Sequence, residues 1–311
     1  CCRKIFCYNL TMPSAEKLLK DYLDYLEIEK NRSVRTRENY ERYLRTFLSQ
    51  AKVSDAKDIT SEAVRDFRLK LARAKGVGGE TLKKSTQSYY AIAIRNFLKY
   101  LIKKDHDVLS PDKIELPKLP ERQIEILEYA DLERLLTAPK GNDLRSLRDK
   151  AILETFFSTG LRLAELCGLS RYLDFSRGEL TVRGKGEKLR VVFLSAGAKK
   201  TIKNYLEKRT DAEEALFVSF TKKGQVIGRI TPRAVERLVD AHARQAGITK
   251  RITPHGLRHL FATDLLINGA DLRSVQELLG HSHISTTQIY THLTNKELKE
   301  IHRAFHARRR K

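Results

Sequence analysis

Residues 253–259 run Thr253-Pro254-His255-Gly256-Leu257-Arg258-His259. Pro254 marks a helix start, and the apolar spacing downstream predicts a helix over residues 256–268. His255 and Arg258 then stand one turn apart on a single face. A helix N-terminus favours an anion in its own right. His255 and His259 also have the four-residue spacing of a zinc protease, but Gly256 stands where that chemistry needs a glutamate. The stretch therefore reads as an anion-binding helix end, not as a metal centre.

Two other segments share this phosphate-compatible composition. Thr159-Gly160-Leu161-Arg162-Leu163-Ala164-Glu165-Leu166 sets an arginine and a glutamate three apart. Leu279-Gly280-His281-Ser282-His283 leads to Tyr290, nine residues beyond His281. His281 and His283 lack a further metal-ligand set. Between these segments, Glu179–Arg183 and Lys188–Leu194 alternate and carry β-branched residues, which predicts two strands joined by Gly184-Lys185-Gly186. That turn is no nucleotide loop: Gly186 stands where Ser or Thr should hold Mg²⁺, and a hairpin replaces the required helix start.

Together, Arg162-x-x-Glu165-Leu166, Gly184-Lys185-Gly186, His255-x-x-Arg258, Leu279-Gly280-His281 and the following Tyr290 resemble the tyrosine recombinases. The resemblance covers nearly the whole chain from about Ser14. The tail, Thr291-His292-Leu293 followed by apolar Leu298, Ile301 and Phe305, is most similar to Xer-type members.

The resemblance implies a fold that is mainly α with a small β-sheet: an N-terminal helical bundle of SAM-like, core-binding type plus a C-terminal tyrosine-recombinase catalytic domain. It implies strand exchange through a 3′-phosphotyrosyl intermediate and a Holliday junction, with chromosome dimer resolution as the biological setting. Tyr290 would be the nucleophile, His255 the base, Arg162 and Arg258 the phosphate clamp, His281 a hydrogen-bond donor and Lys185 the acid. Lys188 and Arg190 are nearby rivals for that acid, and Glu165 is expected to orient an arginine. No cofactor or metal is implied. The implied partners are a double-stranded DNA recombination site, a homo-tetramer or a hetero-tetramer with a paralogue, and a DNA translocase; no membrane is involved. A mobile-element or phage integrase, a type IB topoisomerase-like nicking enzyme and a catalytically silent DNA-binding protein on the same scaffold remain alternatives.

The N-terminal part supports this division. Helical spacing recurs after Ser14, after Ser33, after Thr60 and after the Gly76–Gly79 break, which predicts a four-helix bundle. Arg35, Arg37, Arg42, Lys83, Lys84 and Arg95 interleave with Tyr, Ser and Thr and are candidate DNA contacts, as are Arg233 and His283 in the second part. Pro111, Pro117 and Pro120 mark a linker over residues 105–126. The bundle is assigned to residues 12–104 and the catalytic domain to residues 127–311. Further helices are expected at 129–137, 144–159, 196–209, 232–246, 272–279 and 295–305. Met12 is the chain's only methionine, so residues 1–11 are read as a leader outside the fold.

Composition agrees. With 41% hydrophobic residues the 311-residue chain can bury a core, which argues against disorder. No stretch approaches the ~18 apolar residues of a spanning helix. The 60 Lys+Arg against 39 Asp+Glu give a net charge of +21, which favours a polyanionic partner. It divides into +9 for residues 1–120 and +12 for residues 121–311, as expected of a two-domain clamp around DNA. Cys1, Cys2, Cys7 and Cys167 form neither a disulfide framework nor a zinc spacing; Cys167 reads as a core residue and the setting as reducing and cytoplasmic.

Overall fold

Ser14, Ser33 and Thr60 each open a helix and accept a backbone N–H three residues on, from Lys17 at 3.4 Å, Thr36 at 3.3 Å and Ala63 at 3.1 Å. Each hydroxyl takes up one of the donors that a helix start leaves unpaired. The computed structural model describes residues 14–75, 79, 81–117, 128–184 and 189–280. It divides into two compact units, Cys1–Gln123 and Ile124–Lys311. Among the described residues no helix is long and apolar enough to cross a membrane.

The first unit is a bundle of α1 (Ala15–Ile28), α2 (Val34–Gln50), α3 (Ser61–Arg73) and α4 (Lys84–Lys103). Its interior is aromatic. Phe47 meets Phe67 edge-on at 5.1 Å, and Tyr22 meets Phe97 at 5.3 Å and Tyr100 at 5.2 Å between ring centroids. Part of the stretch read as linker packs here too. Pro111 and Ile114 are buried, and Arg95 reaches Asp112 at 3.2 Å. Pro111, one of the prolines that signal a linker, starts a short 3₁₀ turn, Pro111–Lys113, and this turn lies against α4.

The second unit opens with α5 (Tyr129–Thr137), α6 (Leu144–Thr159) and the short α7 (Leu163–Gly168). An antiparallel hairpin follows, β1 (Glu179–Arg183) and β2 (Leu189–Phe193), with Val182 opposite Arg190 and Glu179 opposite Phe193. Leu180, Val182 and Val192 turn inward, which explains the alternation visible in the sequence. Then come α8 (Ala196–Glu207), a second hairpin of β3 (Val218–Phe220) and β4 (Val226–Arg229), and α9 (Pro232–Gln245), α10 (Pro254–Ile267) and α11 (Leu272–Leu279). Among the described residues the β structure is thus two separate two-stranded ribbons, where the sequence predicts one. A three-residue strand such as β3 is too short to display a period. Cys167 is buried, as expected.

Candidate active site

Thr253 caps α10 by accepting from the Gly256 N–H at 3.0 Å, and Pro254 occupies the first turn. Leu257 and Leu260 anchor the helix in the core. That anchoring fixes the opposite outcomes for two neighbours: His255 is exposed, while Arg258, one turn on, is only 3% exposed. Both line a cleft of about 750 Å³, together with Arg162, Arg233, Arg237 and Arg251. Glu236 and Asp240 of α9 are the acidic groups on the same wall.

Arg258 ties two helix ends together. Its guanidinium donates to the Gly160 carbonyl and to the Leu279 carbonyl, each at 2.5 Å. Gly160 ends α6 in the left-handed region at φ 58°, and a Cβ there would lie 2.3 Å from the Phe261 ring. Only glycine meets both constraints.

Arg162 stands at the start of α7. Glu165 accepts its backbone N–H at 2.7 Å and its guanidinium at 2.9 Å. A second guanidinium nitrogen donates to the Gly280 carbonyl at 2.9 Å. Arg190 reaches the same carboxylate through two bonds of 2.7 Å and the Leu278 carbonyl at 3.1 Å. Three arginines distant in sequence therefore hold three successive carbonyls, those of Leu278, Leu279 and Gly280. They lie at the C-terminal end of α11, where a helix leaves its last carbonyls without intrahelical donors and its dipole is negative.

Glu165 is the counter-charge. Burial alone would push its carboxyl up, but the hydrogen bonds from Arg190 and Arg162 outweigh it and hold the pKa at about 2. Burial, with a lesser contribution from the charge of His255, pushes His259 down to about 4, so that ring is neutral at physiological pH.

The structure brings Arg162, His255, Arg258 and Arg233 to one cleft. Lys185, His281, His283 and Tyr290 lie outside the described residues, as do the helix expected at 295–305 and the leader. Gly280, the neighbour of His281, sits at the arginine cluster. Glu165 holds Arg162 and Arg190, in keeping with the orienting role that the resemblance implies, and His259 is buried in the second unit. The rivalry of Arg190 for the role of acid is corrected: its side chain is 9% exposed and bound to Glu165. In the first unit, Arg35, Lys83 and Lys84 are exposed at helix starts, and Arg42 lies over the Tyr43 ring at 5.0 Å. Arg37 and Arg95 are instead engaged with Glu27 and Asp112.

Sequence reading missed Arg237 and Arg251 of the cleft, and missed what Arg190 does. A signal existed for Arg190: it occupies an inward position of an alternating strand, where a charge demands a buried partner. Among the described residues, no group of three or more His, Cys, Asp or Glu is placed to hold a metal ion.

Fold and site together define a class: a two-unit, mainly helical protein whose second unit gathers guanidinium groups and a histidine at a cleft fit for a phosphodiester. The model of the phage integrase family matches residues 125–297, and that of its N-terminal SAM-like domain matches residues 19–105. The chain belongs to the phage integrase family and is a tyrosine recombinase. It is 38% identical to tyrosine recombinase XerC of Pelobacter propionicus over 92% of this chain and 94% of the relative. It is 37% identical to tyrosine recombinase XerD of Listeria monocytogenes over 94% of this chain and 99% of the relative. In fold it is similar to XerH site-specific recombinase bound to a palindromic difH substrate, with a TM-score of 0.67 and 24% identity over 91% of this chain and 82% of that one.

Proposed function

We propose that this chain is a Xer-type recombinase that exchanges DNA strands at a specific site through a 3′-phosphotyrosyl intermediate and a Holliday junction, acting in the cytoplasm in chromosome dimer resolution. The observation that carries the reading is the sharing of one cleft by Arg162, His255 and Arg258. The XerC and XerD names of its relatives support the setting.

In this mechanism the Tyr290 hydroxyl oxygen attacks the scissile phosphorus, and the bond from phosphorus to the 5′-oxygen breaks. A phenol titrates near ~10, so attack at neutral pH needs a base, and exposed His255 takes the proton. Lys185 gives a proton to the departing 5′-oxygen. Arg162 and Arg258, with His281, offset the charge that builds on the non-bridging oxygens. Arg162 has five donors and places two on Glu165 and Gly280, which leaves capacity for a phosphate oxygen. The phosphotyrosyl diester conserves the bond energy, so a 5′-hydroxyl of the partner strand reverses the step without ATP.

The domain bounds of 12–104, 105–126 and 127–311, a tetramer with itself or with a paralogue, and control by a DNA translocase complete the proposal. The test is a nicked suicide duplex incubated with the full chain. An SDS-resistant protein–DNA adduct that disappears in Tyr290→Phe is expected. An adduct that survives that substitution overturns the choice of nucleophile, and binding without any adduct overturns strand transfer.

A further inference from the structure

Arg190 stands on the inner face of the first hairpin, opposite Val182, in β2, which begins four residues after Lys185 in the sequence. Its Nη1 and Nη2 donate to the two Glu165 oxygens and its Nε to the Leu278 carbonyl, so each of its three nitrogens has a partner. Glu165 in turn accepts four bonds, two from Arg190 and two from Arg162. A carboxylate has about four acceptor positions, so it is filled. The side chains of Arg190 and Glu165 are 9% and 6% exposed.

A pair this deep is a poor source of stability, because apolar residues of similar volume often serve a core equally well. What the pair supplies is geometry. With both oxygens half occupied by Arg190, Arg162 can give Glu165 only one guanidinium nitrogen, and its other terminal nitrogen stays on the Gly280 carbonyl. Remove Arg190, and the two vacated acceptor positions favour a bidentate pair between Glu165 and the Arg162 guanidinium, which draws that guanidinium away from Gly280. The Leu278 carbonyl loses its donor in the same event.

We propose that Arg190 is a positioning residue for strand transfer: by occupying one half of Glu165 and the Leu278 carbonyl, it keeps Arg162 from collapsing onto Glu165 and joins β2 to the end of α11. The proposal rests on the strand-transfer reading above. Arg190 touches no reacting atom; it acts through Arg162.

The test uses the full chain with Arg190→Lys and Arg190→Met, measuring adduct formation on the nicked duplex at saturating DNA and DNA affinity separately. Arg190→Lys retains the stem and the charge, and hence the fold, but lacks the planar fork that serves three acceptors. In both variants the rate of adduct formation falls about 10²-fold while DNA affinity changes by less than about twofold. Loss of the second arginine lets the Glu165 carboxyl rise, so the acid limb of the rate profile moves to higher pH. Glu165→Gln combined with Arg190→Met is no slower than the slower single variant, because both act through Arg162. A native chain that forms no adduct overturns strand transfer itself. A native chain that does, beside an Arg190→Lys chain with native rate, overturns the positioning role alone. So does an Arg190→Lys chain whose rate, affinity and melting temperature fall together.

Discussion

Tyr22, Phe47, Phe67 and Phe97 fill the interior of the first unit, where Ser88 is the polar residue buried among those described. The interior of the second unit admits Arg148, Asp149, Arg209, Arg258 and His259. The difference follows from the lengths of the elements. Long helices satisfy their own carbonyls, and apolar packing completes the bundle. Short helices and two-stranded ribbons leave carbonyls at their ends, and a buried carbonyl needs a donor. Arginine supplies it: Arg148 to Val218 at 2.7 Å, Arg209 to Ala215 at 2.6 Å, Arg229 to Cys167 at 2.9 Å, Arg258 to Gly160 and Leu279. The second unit thus builds its core with the same group that the proposed chemistry requires. In the first unit, arginines and lysines remain a surface property.

The strongest challenge to this contrast is Arg258→Met, a change of charge at nearly constant bulk. It removes the group that the proposed mechanism places on the phosphate and orphans two carbonyls at once. Adduct formation on the nicked duplex is expected to fall about 10³-fold. A smaller loss than that of Arg190→Met would reverse the order of the two arginines. The matching change in the first unit is Phe97→Ala, which empties the bundle core and should cost about 4 kcal/mol in a denaturant melt. Its adduct rate at saturating DNA should stay near native. A rate that falls in step with stability would break the separation between a unit that packs and a unit that reacts.

These contrasts were legible in sequence to unequal degrees. Ser14, Ser33 and Thr60 announce their helices because a cap is a local event within three residues. His255 and Arg258 are equally local, and the helix that carries them begins within two residues of the predicted start. The hairpin of Glu179–Arg183 and Leu189–Phe193 shows its alternation, whereas Val218–Phe220 is too brief to show any and Leu163–Gly168 spans less than two turns. The carbonyl clasp is another matter. Arg162 and Gly280 are 118 residues apart, and no spacing rule connects a side chain to a backbone oxygen at that distance. The motifs could be recognised as a set, but that three arginines meet the three carbonyls before His281 required coordinates.

Gly160→Ala probes the clasp from its far end. The left-handed backbone disfavours a side chain, and the new methyl must displace Phe261. The two costs together come to about 3 kcal/mol. Because the Gly160 carbonyl holds Arg258, the adduct rate should fall along with stability, unlike that of Phe97→Ala. A rate that holds while the melt shifts would mean that Arg258 keeps its place through Leu279 alone.

The smallest effect separates the units by pH. His259 is buried with its pKa near 4, against about 6.5 in the unfolded chain. A group depressed on folding contributes full stability above its unfolded pKa and loses it as pH falls toward the folded one. Between pH 7 and about pH 5 the second unit should therefore lose about 2 kcal/mol through this ring, and His259→Leu should flatten that slope. Glu165 obeys the same sign in a lower window, from its ordinary carboxyl range down to about 2, so its loss comes later. The bundle buries no histidine or carboxylate among its described residues, and burial pushes Tyr22 and Tyr100 upward, away from this range. Acid should consequently loosen the second unit first, read as earlier loss of amide protection in residues 128–280 than in residues 14–117. Equal loss in both would show that the buried charges of the second unit carry no more acid sensitivity than an aromatic core, and the contrast between the units would then lie in chemistry alone.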